Sequence, residues 1–194
     1  MTRITTRMLL LGALIISALG VSALGAQAKS PAKPAITVTG GTVTVQPTHK
    51  TLTDLVADKI APKAVKPATI TKTAAIQAPV SGGQFDAKAN GTLVLKGKLQ
   101  LIKGKTTVTL SHFIAKVTKG KSAVLSVVVK GKTIKIATIS KLTIVLAKNG
   151  KSATASGEAA ITKAFAALIN KLAGNKAAKG GDDLGLVSAN LKLA

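Results

Sequence analysis

From Gly91 to Leu146 apolar and polar residues alternate in short runs that break at Lys-Gly or Gly-Lys pairs. Successive side chains of a strand point to opposite faces, so this pattern predicts antiparallel strands joined by tight turns. Leu93, Leu95, Leu99 and Leu101 share one face and Lys96, Lys98 and Gln100 the other, which predicts one side in the core and one in solvent. In the next run Val108, Leu110, His112 and Ile114 share a register against Thr109, Ser111, Phe113, Ala115 and Val117. Both registers turn apolar near Phe113, the mark of a central strand or of a bulge at Ser111-His112. Ala123, Leu125, Val127 and Val129 supply the next inward face, and Ile134, Ile136, Leu142, Ile144 and Leu146 the one after it. Charged turns at Lys119-Gly-Lys, Lys130-Gly-Lys and Asn149-Gly-Lys separate these strands.

The flanks add helices. Ile36 to Val45 alternates around Gly40-Gly41, a strand with a bulge or a tight hairpin. Leu52, Leu55, Val56 and Ile60 recur at helical spacing and Thr51 with Asp54 resembles a capping box, predicting a helix from about Lys50 to Asp58. Pro62 and Pro67 then exclude regular structure up to an edge strand at 68–77, which Pro79 and Gly82-Gly83 would end. Ser152 to Ala155 reads as a strand. Ile161, Phe165, Leu168, Ile169 and Leu172 predict a second helix, with Ser156 as its N-cap and Gly174-Asn175 as its stop. Val187 to Leu193 alternates as a last strand. The fold class is therefore mainly β: an antiparallel β-sandwich or meander with two short amphipathic helices.

Residues 1–28 read as a cleaved signal peptide: Arg3 and Arg7 precede the apolar run Met8 to Leu24, and Ala26-Gln27-Ala28 is a small-x-small cleavage site. Residues 29–80 then form an N-terminal spacer, strand and short helix, and 81–194 an antiparallel β domain. The expected location is secreted or at the outer face of the cell envelope, with no transmembrane segment after cleavage.

Charge changes this picture only in part. The chain has 28 Lys+Arg against 6 Asp+Glu, a formal net charge of +22, and both arginines lie in the leader. Every other cation is a lysine, a hydrated point charge without the planar fork of arginine, which argues for diffuse, salt-sensitive attraction rather than a shaped anion site. Lys96, Lys98, Lys103, Lys105, Lys119, Lys121, Lys130 and Lys132 are the candidate anion-binding residues, and an anionic envelope polymer or surface the partner they would serve. The plainer reading is that they are solvated faces and edge guards keeping a β protein soluble. Three Phe, no Tyr and no Trp leave no stacking platform for bases, so a specific nucleic-acid partner is excluded. With no cysteine, disulfides and thiolate chemistry are excluded too.

Catalysis needs a nucleophile beside a base or a pair of tuned carboxylates. Here two histidines, His49 and His112, stand far apart, the acids are scattered, and Asp182-Asp183 in a Gly-Lys loop reads as a turn rather than a dyad. The expectation is no enzyme, no metal site and no obligatory cofactor. His112 is the one residue with a sharper alternative, as a ligand to a haem iron; otherwise it is a satisfied histidine within a strand.

Gly82-Gly83-Gln-Phe85, Gly91-Thr-Leu-Val-Leu-Lys-Gly-Lys-Leu, Thr107-Val-Thr-Leu-Ser111 and Ala160-Ile-Thr-Lys-Ala-Phe165 together resemble the HtaA domain over about Ser81 to Ala194. The resemblance implies an exported actinobacterial surface module, all-β with short helices, several members of which bind haem. It also implies a tyrosine iron ligand ahead of the Gly-Gly, where this chain reads Thr73-Ala-Ala-Ile-Gln-Ala-Pro-Val80 and has no tyrosine at all. The expected function is an exported non-catalytic cell-surface or envelope-associated binding protein of HtaA-like type, and the alternative a haem-binding or haem-transfer module.

Overall fold

The computed structural model describes residues 36–194, so the signal peptide expected at 1–28 lies outside the described residues. In chain order the elements are β1 (Ile36–Pro47), α1 (His49–Ala57), β2 (Ala61–Val65), β3 (Thr69–Ile70), β4 (Ile76–Phe85), β5 (Gly91–Leu95), β6 (Lys98–Lys103), β7 (Thr106–Thr118), β8 (Ser122–Val129), β9 (Lys132–Leu146), β10 (Ser152–Ile161), α2 (Lys163–Ala173) and β11 (Asp183–Leu193). The fold is mainly β and its pairings are antiparallel, with two helices, as the alternation predicts. What the alternation did not show is closure. The strands run β7-β5-β4-β1-β11-β10-β9-β8, and β8 pairs back onto β7, so the sheet becomes a barrel. Beside it, β6 and β2 extend the first half of β7, and β3 lies on β4.

Bulges make the closure possible, because an extra residue bends a strand and reverses which side chains face in. In β7, Thr106 to Leu110 pair with β6 and Phe113 to Val117 with β5. Between them His112 takes a positive φ of 51° and the register with β8 shifts. Leu110 is inward before the bulge, and Phe113, Ala115 and Val117 after it, while Ile114 turns outward. The predicted bulge at Ser111-His112 is thus present, but His112 is an exposed bulge residue and not one of an inward row. Strand β9 shifts twice, against β8 near Ile136 and against β10 near Lys141, whose φ is 50°. Its buried set therefore moves from Ile136 to Ala137 and Ile139, and Leu146, expected inside, is 53% exposed.

At the N-terminal side, Ile36 to Pro47 is one strand with a bulge at Gly40, and it pairs with both β4 and β11. Residues 36–80 hence belong to the same sheet as the rest, and the division drawn between 80 and 81 falls inside β4. Pro62 does not prevent a strand. It sits in β2, which pairs only with β6, so the missing N–H is tolerated on an edge. Pro79 and Gly82-Gly83 lie within β4 rather than ending a strand, and the edge strand expected at 68–77 is only the two residues of β3. The helices start at Thr48 and Thr162, whose side chains accept from the N–H of Thr51 and Phe165. Ser156 is no cap because β10 runs on to Ile161; Gly174, at a φ of 75°, ends α2 as expected.

The Asp86 turn between β4 and β5 supplies a pH-dependent element. Its carboxylate accepts from the Asn90 side chain (3.0 Å) and from the N–H groups of Asn90 and Lys88 (both 2.8 Å). The Asn90 contacts foremost hold its pKa below the ordinary value of 3.8. A lowered folded pKa means that the contribution is present above the unfolded value and is lost as pH falls through the folded one. Carboxyl NMR titration is expected to find Asp86 below 3.8, and Asn90→Ala to move it back toward that value.

Candidate ligand cavity

Eight strands enclose an interior just wide enough to be filled by side chains or to hold one small ligand. Which of the two occurs depends on the size of the inward residues. In this barrel Ala78, Ala115, Ala123, Ala137, Ala159 and Ala189 all face the axis, each projecting a single carbon. They leave a cavity of about 270 Å³. Phe85, Phe113 and Phe165, the three aromatic residues of the chain, also border it. Most of the rest of its wall is aliphatic, from Leu99 and Leu110 at one end to Val117 and Leu191 at the other. No polar or charged side chain is fully buried among the described residues.

The polar part of the lining gathers where α1 crosses the end of the barrel beside the start of β11. Asp54 of α1, Asp58 at its C-cap, Asp182 and the first residue of β11, Asp183, lie there, with Lys50 and Lys98. These are four of the six acids of a strongly basic chain. The helix is tied down at this point. The Thr48 N–H donates to the Leu184 carbonyl (3.1 Å) and the Thr51 hydroxyl to the Asp183 carbonyl (2.9 Å). The Asn175 amide, just past α2, donates to the Asp58 carboxylate at 2.7 Å, so the two helices are linked beside the mouth. Lys50 donates to Asp54 at 2.6 Å; that hydrogen bond first, then the Asp54 charge, raises its pKa. Lys50 is exposed and Asp54 partly so, and water screens the pair, so it contributes little to the stability of the barrel.

The candidate residues read from the sequence are not at this cavity, apart from Lys98. His112 is exposed on its bulge, with Nδ1 3.2 Å from the Ser111 hydroxyl. His49 is exposed at the first turn of α1. The cavity wall thus offers an iron no imidazole, phenol or thiol, and the described residues hold no cluster of three metal-ligating side chains. The lysines do not form one patch either. Lys119 and Lys121 flank the turn at the start of β8 and Lys130 and Lys132 the turn at its end. Lys96, Lys98 and Lys105 are exposed around β6, while the Lys103 ammonium donates to the Ala173 carbonyl and so caps the C-terminus of α2. What sequence reasoning missed was the cavity itself, of which the chain carries only a partial sign. The buried positions of β4, β7, β8, β10 and β11 carry six alanines beside seven branched residues.

No protein-family profile matches the chain, and no curated protein matches it in sequence. Solved structures do match in fold. The C-terminal domain of HtaA from Corynebacterium glutamicum superposes with a TM-score of 0.64 at 12% identity, over 82% of this chain and 100% of that one. The heme binding protein HtaB from the same organism gives 0.53 at 14% identity, over 81% of this chain and 95% of that one. Among the described residues no helix is long and apolar enough to cross a membrane. The chain has the HtaA-like fold.

Proposed function

We propose that this chain is an exported, non-catalytic binding module of HtaA-like type whose ligand seats inside the barrel. The observation that carries the reading is the largely apolar cavity left by the inward alanines, whose charged lining residues gather at one end. An apolar cavity stays dry and gains by taking up an apolar molecule, since nothing in its wall solvates water. Export is supported by the Arg3 to Ala28 leader pattern. A non-catalytic role is supported by the separation of the two histidines and by the ties that Asp54 and Asp58 already make. The lysine turns, split between the two ends of β8, serve solubility and weak, salt-sensitive contact with anionic envelope polymers, separately from the interior.

Likeness in fold to a heme binding protein favours haem as the second reading. Against it stand the missing tyrosine and a cavity wall without an iron ligand. One titration separates the readings. N-phenyl-1-naphthylamine, an uncharged probe, added to the Lys29 to Ala194 chain is expected to give a saturable rise in fluorescence, one site per chain, unchanged at high salt. No saturable rise, or one abolished by salt, overturns the interior site. Hemin is expected to give no salt-resistant Soret shift. A one-to-one shift that survives salt and disappears in His112→Ala would make haem transfer the function instead.

A further inference from the structure

We infer that the occupant of the cavity is a single unbranched hydrocarbon chain, inserted tail-first at the end of the barrel that α1 crosses, with its polar end left at the mouth. The inference rests on the interior-site reading above and specifies its ligand class. Three observations converge on it. The first is shape. The lining follows β7 from Leu110 to Val117, which is roughly 20 Å of strand at the usual rise per residue. The lining thus runs down much of the depth of the barrel, a length that suits an extended chain.

The second is the chemistry of the wall. Beyond the mouth the lining around Val117, Ala123, Ile144 and Leu191 is aliphatic except for Ser156, an exposed residue of β10, so a polar group carried that deep finds little to replace its water. A methylene chain makes no such demand. The third is the polarity of the lining along the axis. Charged side chains border the cavity only at the end where Lys50, Asp54, Asp58, Lys98, Asp182 and Asp183 stand. An amphiphile lying along the axis thus has one favourable orientation, tail inward. The ties from α1 to β11 hold this entrance in place.

The test is displacement of N-phenyl-1-naphthylamine by straight-chain alcohols from hexanol to tetradecanol, with 1-adamantanol as the bulky comparison. Affinity is expected to rise about fourfold per added methylene until the tube is full, and then to level off, while 1-adamantanol displaces weakly. Ala123→Leu, at the end of the tube far from the mouth, is expected to move the break to a shorter chain and to leave short alcohols unaffected, a shift that mere destabilisation does not produce. If that variant does not fold, Ala155→Leu at the same end makes the same comparison. Binding of the probe with displacement independent of chain length, or a break that stays put in the folded variant, overturns the hydrocarbon-chain ligand while the interior site stands. Absence of probe binding removes both.

Discussion

Gly41→Ala is expected to destabilise the barrel by about 3 kcal/mol or more, whereas the same change at the adjacent Gly40 leaves stability nearly unchanged. Gly41 has a φ of 131°, which side-chain-bearing residues rarely adopt. A Cβ there would stand 2.1 Å from the Asn190 carbonyl oxygen and 2.9 Å from the Leu191 Cα. Both are backbone atoms of the neighbouring strand and have no rotamer to escape into. Strain of about 1–3 kcal/mol for the backbone conformation adds to a similar cost for overpacking. The damage falls on β1, which pairs with both β4 and β11 and so joins the two ends of the described chain. At Gly40 a Cβ would meet nothing within 4 Å. Urea unfolding of the two variants checks the pair; equal losses would mean that the β1 bulge is not as described.

Leu110→Ala is expected to cost about 2–5 kcal/mol, a large part of the stability of a domain of this size. Leu110 is 0% exposed and lies just before the His112 bulge, where β7 passes from β6 to β5 as its partner. Deleting its branched end both removes apolar burial and enlarges a space that is already incompletely filled, so little collapse can offset the loss. The same location gives the variant a second signature. A ligand that binds the folded state raises its stability by mass action. Saturating dodecanol is therefore expected to raise the Tm of Leu110→Ala by at least as much as that of the parent chain. Thermal unfolding with and without the alcohol reads both effects. A loss below about 1 kcal/mol would show that Leu110 is not the packed centre of this end of the barrel.

Much of the architecture was legible because strand alternation and turn chemistry are local. Leu93 and Leu95, Ala123 to Val127 and Ala189 with Leu191 all face inward as their spacing predicts. The turns at Lys119-Gly120 and Lys130-Gly131 have the paired positive φ values that tight hairpins need. The helix stop at Gly174 rests on the same local logic. Register past a bulge was not legible, since one inserted residue reverses every later side chain. Leu146 was placed wrongly inside for that reason, and Leu142 was placed rightly only because β9 shifts twice. Pro62 misled because an edge strand and an irregular segment share the same composition.

The candidate site divides in the same way. The sequence by itself determined a lysine-rich, cysteine-free, antiparallel β protein with two short helices and no tyrosine to hold an iron. These follow from residue type and from periodicities that act over a few positions. Tertiary structure alone decided that β8 returns to β7 and closes the ring, that His112 is exposed, and that Asp54, Asp58, Asp182 and Asp183 border the same cavity. It also decided that alanines far apart in the chain face one another across the axis. Whether small inward residues leave a void depends on what stands opposite them. That is a matter of pairing between distant strands, and no local pattern encodes it.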